Sequence, residues 1–183
     1  EIKKKLNKVS GILIPGGFGK RGAEGKIAAI EYARINKIPY LGVCLGLQIA
    51  TIEFCRNVLG MENANSTEFD ENTPQPAVVF MPEISKTHMG GTMRLGLYPA
   101  KLTEGSVAFR VYGQPYIEER HRHRFEVSNE YREQLSKSVL TCSGTSPDGR
   151  LVEFVELPAS VHPYYIGTQA HPELRSRPTH AHP

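Results

Sequence analysis

Pro39-Tyr40-Leu41-Gly42-Val43-Cys44-Leu45-Gly46-Leu47-Gln48 is the stretch that decides the fold. A short apolar run ends on a cysteine, and an amphipathic stretch begins at once. Glycines stand two residues before and two residues after the thiol. That spacing is the sulfur counterpart of the Gly-x-Ser-x-Gly elbow, in which a strand turns sharply into a helix. Small flanking residues are needed because the nucleophile's backbone is strained and neighbouring chain packs close to it. The turn projects the sulfur from the sheet edge toward a helix N-terminus, whose partial positive charge favours a thiolate. The competing reading is a buried structural cysteine, since free cysteine is among the most buried residue types.

Outward from this elbow, Ile38 to Val43 reads as a strand and Leu47 to Asn57 as a helix, with Ile49, Ile52 and Cys55 at helical spacing. Upstream, Ser10-Gly11-Ile12-Leu13-Ile14 is a buried strand that stops at Pro15-Gly16-Gly17-Phe18-Gly19. Ala23 to Lys37, with Ile27, Ile30 and Ala33 on one face, is an amphipathic helix. Strand, helix, strand, helix with short connections implies right-handed crossovers. The expected class is therefore α/β, an open, mostly parallel sheet flanked by helices. Further on, residues 60–73 read as polar loop, Ala77 to Met81 as a strand, Pro82 to Gly91 as a second loop and Thr92 to Leu97 as a strand. Asn129 to Lys137 reads as a short helix. Val139 to Ser143 and Leu151 to Glu156 form a hairpin around Pro147-Asp148-Gly149. Tyr164 to Ala170 is the last strand and ends on His171-Pro172-Glu173.

At 183 residues, with 39% hydrophobic and 22% charged residues, the chain suits a single globular domain with a real core. A net charge of +3 is too small to argue for a nucleic-acid partner. No apolar run is long enough to cross a bilayer, so no membrane partner is expected. Three cysteines, Cys44, Cys55 and Cys142, leave an odd number and form no metal-type pair, which points to a reducing, cytoplasmic compartment and no metal. His180 and His182 read as a loose tail rather than as ligands. Both ends read as cut from something longer, so residues 1–183 are expected to be one domain truncated at both termini.

A thiol nucleophile needs a base, and the base needs an orienting group. His171 closes a strand and Glu173 lies two residues beyond, on the same face, where its carboxylate can fix the tautomer of the imidazole. Cys44 and His171 both fall at the carboxyl ends of strands, where open α/β sheets build their sites. Donors for a developing oxyanion are offered by the backbone of Gly16 to Gly19 and by the N–H of Leu45. Neither Gly-x-Gly-x-x-Gly nor a Walker Lys-Ser/Thr ending is present, which disfavours a phosphate loop. Arg120-His121-Arg122-His123-Arg124, as a strand, puts three arginines on one face and two histidines on the other, a pattern suited to an anion or a domain interface.

Pro15-Gly16-Gly17, Gly42-Val43-Cys44-Leu45-Gly46-Leu47-Gln48 and His171-Pro172-Glu173 together resemble the three signatures of the triad-type (class I) glutamine amidotransferases. Further stretches are similar to one branch of that family, in which the amidotransferase domain is joined to an ATP-dependent synthetase domain. They are Pro15 to Gly22, Arg56-Asn57 with Asn63 to Phe69, Met89 to Gly96, and Glu119 to Val127. The resemblance implies a glutaminase that works through a thioester, with Cys44 as nucleophile, His171 as base and acid, and Glu173 as the orienting carboxylate. It implies L-glutamine binding by Gly17, Leu45, Gly46, Leu47, Gln48, Glu68 and Arg124. A free amino acid carries an ammonium and a carboxylate, which Glu68 and Arg124 complement. It also implies a GTP activator sensed near Arg21, Gly22 and Glu24, and no cofactor in this domain. ATP and Mg belong to the synthetase domain, which would use the ammonia to aminate a pyrimidine nucleotide in a longer, homo-oligomeric protein. The synthetase domain and the first strand of the amidotransferase domain are both expected to be missing. The chain alone should then be a poor glutaminase, its Gly16 to Gly19 loop lacking the partner that sets it. Two rival readings are another cysteine hydrolase of this fold and a regulatory or assembly module that is silent alone.

Overall fold

The structure is a computed structural model that describes residues 2–81 and 93–183. In chain order its elements are α1 (Ile2–Leu6), β1 (Ile12–Ile14), α2 (Ala23–Asn36), β2 (Tyr40–Val43), α3 (Leu45–Asn57), β3 (Ala64–Ser66), β4 (Gln75–Phe80) and β5 (Arg94–Leu102). There follow α4 (Val107–Tyr112), β6 (Tyr116–His123), β7 (Phe125–Val127), α5 (Asn129–Lys137), β8 (Thr141–Thr145), β9 (Val152–Glu156), β10 (Tyr165–Thr168) and a 3-10 turn at Pro172–Leu174.

The main sheet has the order β1-β2-β10-β9-β8-β5-β6, and a small sheet has the order β3-β4-β7. In the main sheet β1, β2 and β10 run parallel. From β10 outward, through β9, β8, β5 and β6, every pairing is antiparallel. The parallel character read from the strand–helix–strand pattern thus belongs to the part of the sheet that carries Cys44 and His171. In the antiparallel part β8 and β9 form a hairpin, α4 lies between β5 and β6, and β7 and α5 lie in the connection from β6 to β8.

Two cores flank the main sheet because side chains alternate along its strands. One contains Ile27 and Ile30 of α2, Tyr165 of β10, Val155 of β9 and the apolar residues of α3 from Leu45 to Cys55. The other, beneath α4, contains Ala100, Leu102, Ile117, Phe154 and Ile166. Every residue from Leu45 to Cys55 is buried, because α3 packs on β2 and β10 and also on β3 and β4 of the small sheet. An all-round buried helix is set by tertiary packing rather than by an amphipathic stripe.

The α5 helix and the β8–β9 hairpin fall where the sequence puts them. Two elements differ. Residues 60–73 are not all loop, since Ala64–Ser66 forms β3 beside β4. A polar Ala-Asn-Ser run has no strand periodicity, and pairing with β4 decides its conformation. The α4 helix is short, and it is held by Ser106 accepting from Phe109 N and by the buried Glu156 carboxylate accepting from Val107 N and Ala108 N. The loop expected over Pro82 to Gly91 and the start of the Thr92 to Leu97 strand lie outside the described residues; β5 begins at Arg94 and runs to Leu102. His182 is not loose: its Nε2 lies 2.7 Å from Oε1 of the buried Glu119. Among the described residues no helix is long and apolar enough to cross a membrane, and no group of three or more His, Cys, Asp and Glu is arranged to hold a metal.

Candidate active site

Three adjacent parallel strands end on the residues that the sequence singles out. The β1 strand runs into Gly16 to Gly19, β2 into Cys44, and β10 into Gln169, Ala170 and His171. Cys44 links β2 to α3 with φ 51° and ψ −99°, a left-handed backbone that few side chains tolerate. Its N–H donates to Thr168 O at 2.7 Å, which ties the elbow to β10. The flanking glycines answer to close packing. A Cβ on Gly46 would stand 2.3 Å from Ile14 O, and one on Gly42 would stand 2.7 Å from the Gly46 carbonyl carbon. Tyr40, fully buried, donates its hydroxyl to Gly46 O at 2.9 Å and braces the turn from below.

His171 packs against the glycine loop so tightly that a Cβ on Gly16 would lie 2.6 Å from its Cε1. Its N–H donates to Arg120 O, and its Nδ1 lies 2.7 Å from Glu173 Oε1. The carboxylate holds the tautomer with hydrogen on Nδ1, which leaves Nε2 as the basic nitrogen. That Nε2 is buried and has no hydrogen-bond partner, so no bond joins it to Cys44 in this structure.

Cys44 is buried. The thiol lies 4.0 Å from Arg122 O, to which it donates. Burial pushes its pKa up to about 12; the Leu45 N–H pulls it back, and the carboxylates of Glu126, Glu173 and Glu68 push it further up. Burial thus acts against the thiolate that the α3 N-terminus is expected to favour. Loss of water outweighs the helix end here, and burial holds the Cys55 thiol at about 12 as well.

Glu68 and Arg124 line one cavity of about 360 Å³ together with Phe18, Thr67, Glu71, Phe80 and Phe125. One Glu68 oxygen accepts from Gly19 N at 2.7 Å. Burial raises the Glu68 pKa, while the Gly19 hydrogen bond and the Arg124 charge pull it down. The Arg122 guanidinium stands over the Phe18 ring at 5.4 Å. The glycine loop is thus held at Gly19 and at Phe18 by residues of this chain. Gly17 packs against Leu45, its Cβ position lying 3.2 Å from Leu45 Cδ2. Gln48 is turned inward: its Nε2 donates to Phe125 O at 2.9 Å, so the structure engages it behind the elbow and not in the cavity. Gly46 and Leu47 are buried within α3. Arg21 is exposed, Gly22 takes φ 73° at the entry to α2, and Glu24 is held by Arg56 at 2.9 Å.

The predicted alternation holds along β6, with Arg120 and Arg122 exposed and His121 and His123 buried, but Arg124 lies beyond the strand, at the bend before β7, and is half-buried. The buried side was not read further from the sequence. There, Arg94 meets Glu153 at 2.7 Å and Glu126 at 3.7 Å, while Nε2 of His121 lies 3.5 Å from Glu153 and that of His123 lies 2.6 Å from Glu126. Also missed is Gln169, whose Nε2 lies 3.7 Å from Cys44 Sγ. A polar residue inside an otherwise buried strand, two positions before His171, was the signal available for it.

The family model described as "Glutamine amidotransferase class-I" matches residues 1–183. A CTP synthase of Nocardioides sp. is 60% identical over 185 residues, covering 98% of this chain and 32% of that protein. A CTP synthase of Methanocaldococcus jannaschii is 60% identical over 178 residues, covering 97% of this chain and 33% of that protein. The chain therefore spans about a third of the length of these curated relatives. Among solved structures, the Trypanosoma brucei CTPS glutaminase domain with bound acivicin superposes with a TM-score of 0.91 at 40% identity, covering 98% of this chain and 69% of that one. A Thermotoga maritima glutamine amidotransferase shares the fold at a TM-score of 0.53 and 19% identity, covering 92% of this chain and 58% of that one. With a family match along its whole length, and with the elbow and the His171–Glu173 pair at one end of the sheet, the chain belongs to the class-I glutamine amidotransferases.

Proposed function

We propose that this chain hydrolyses L-glutamine through Cys44, and that in a longer protein the ammonia aminates UTP to CTP in pyrimidine nucleotide synthesis. The observation that carries the reading is the convergence of Cys44, His171–Glu173 and the glycine loop at the ends of adjacent strands β2, β10 and β1. His171 Nε2 takes the thiol proton as sulfur attacks the side-chain amide carbon. N–H groups of Leu45 and Gly17 receive the charge that grows on the carbonyl oxygen. His171 returns the proton to the departing nitrogen, and ammonia leaves a thioester. It then takes a proton from water, the hydroxide attacks the thioester, and glutamate leaves as the thiol is restored. Glu68 and Arg124 are assigned to the ammonium and the carboxylate of the substrate, Gly46 and Leu47 to the backbone wall beside the sulfur, and Gln48 to its inner support.

The similarity to CTP synthases, of which this chain spans about a third, supports a partner region in a longer protein. We further propose that this region uses ATP and Mg, that the full-length protein is cytoplasmic and oligomeric, and that a GTP activator acts near Arg21, Gly22 and Glu24. Glutamate and ammonia release from glutamine, measured for the chain and for Cys44→Ser, tests the reading. Hydrolysis by the chain that the serine variant loses is the expected result. Equal hydrolysis by both would end it.

A further inference from the structure

Gln169 is fully buried at the end of β10, with its side chain against the sulfur of Cys44. The direction of its amide follows from a chain of contacts. Phe125 O can only accept, so the Gln48 atom 2.9 Å away is the Nε2 amide. The same Nε2 faces the Gln169 side chain at 3.4 Å, so Gln169 turns Oε1 toward it. The Gln169 NH2 is then left facing Cys44 Sγ at 3.7 Å. While the thiol is neutral its hydrogen goes to Arg122 O. Once that hydrogen leaves, the sulfur is an anion in a dry site, with Glu126, Glu173 and Glu68 near enough to oppose it. Donors on the sulfur are then what hold the charge.

We infer that Gln169 donates a hydrogen bond to the Cys44 sulfur that stabilises its ionised form during attack, with Gln48 keeping the amide turned the right way. The inference rests on the proposed role of Cys44 as nucleophile. Sulfur is a weak acceptor as a thiol and a much stronger one as a thiolate, so the bond strengthens as the proton moves to His171. A hydrogen bond to the charged form lowers the cost of forming it. The donor is buried and fixed beforehand, so no reorganisation is needed at the moment of reaction. Gln169 touches the reacting atom, whereas Gln48 is a positioning residue.

The test is inactivation by a glutamine-shaped chloroketone, with the alkylated cysteine mapped by mass spectrometry and the maximal rate separated from the half-saturating concentration. Gln169→Leu is expected to slow the maximal rate about tenfold or more, and to move its pH profile upward by about one unit. The half-saturating concentration should stay within about twofold, because the amide faces the sulfur rather than the cavity. Gln48→Leu, which frees the Gln169 amide to turn, should give a smaller loss of the same kind. An unchanged rate and pH profile in folded Gln169→Leu would overturn the inference and leave the nucleophile intact. Should Gln169→Leu unfold, seen as Cys55 labelling beside Cys44, Gln48→Leu decides, and an unchanged rate there overturns it. Failure of the unaltered chain to label at Cys44 removes the nucleophile and this inference together.

Discussion

His171 Nδ1 lies 2.7 Å from Glu173 Oε1, while Nε2 of the same ring is buried without a hydrogen-bond partner. The ring is therefore oriented before any substrate arrives, and its basic nitrogen is buried and free to take a proton. Glu173 is itself 57% exposed at its side chain, so water can stand in for part of its role. Glu173→Ala is expected to lower kcat for glutamine hydrolysis about 10- to 100-fold with little change in KM. Steady-state kinetics read this directly. A rise in KM alone would place the carboxylate in substrate binding instead.

Two glycines should separate folding from chemistry. Alanine at Gly46 would drive a Cβ into the Ile14 carbonyl, backbone that cannot easily move aside, and is expected to destabilise the chain by about 2–4 kcal/mol. Alanine at Gly16 meets the His171 ring instead, which can move. It should cost little stability and most of the glutaminase rate. Thermal melts and initial rates on both variants check the contrast.

The three thiols should rank differently with different reagents. Cys44 and Cys55 are buried and Cys142 is half-buried. A small general alkylating agent near neutral pH should therefore mark Cys142 first, because it is the most accessible thiol and, although burial raises all three, the Arg132 charge and hydrogen bonds from Arg132 and Ser136 pull the Cys142 thiol back. A glutamine-shaped chloroketone should invert that order and mark Cys44. Peptide mapping after brief exposure to each reagent distinguishes the two patterns.

The buried cluster predicts an acid response. His121 faces Arg94 from β5, Glu153 from β9, His123 on its own strand and the Tyr98 ring, with His171 close enough to be felt. Burial first, then Arg94, His123 and His171, hold its pKa down to about 2. The folded chain thus keeps His121 neutral where the unfolded chain would bind a proton. This contribution to stability is complete above about pH 6.5 and declines as pH falls toward 2, by up to about 1.4 kcal/mol per unit. His121→Gln should flatten the slope of urea stability against pH between about 6.5 and 4. An identical slope in the variant would place the acid sensitivity elsewhere in the cluster.

What could be read from sequence follows a physical divide. Cys44, the glycine loop and His171-Pro-Glu173 are each set by a few consecutive residues, and each signature falls at a strand end. The antiparallel half of the sheet is less legible, because β5 and β6 are told apart from parallel strands only by their partners. The β3 strand, with a polar composition, exists only through β4. The Arg94–Glu153–His121 cluster joins residues from β5, β9 and β6, and no local pattern connects them. The upward push of burial on the Cys44 thiol is hidden for a related reason. A helix end is visible in sequence, whereas the dryness of the site is a property of everything packed around it.

The bond from Gly19 N–H to Glu68 joins a residue assigned to substrate capture with the loop assigned to transition-state stabilisation. Occupancy of the cavity and the setting of that loop are therefore two readings of one equilibrium. By reciprocity, any effector that steadies the glycine loop must change glutamine affinity by the same factor that glutamine changes the effector's affinity. An activator that steadies this loop is therefore expected to change glutamine affinity as well as rate. Glu68→Gln, measured for glutamine affinity with and without GTP in a full-length protein, should weaken glutamine binding and shrink the mutual effect together. The route of control would then lie inside the glutamine site itself, so that hunger for substrate and readiness to react rise and fall as one.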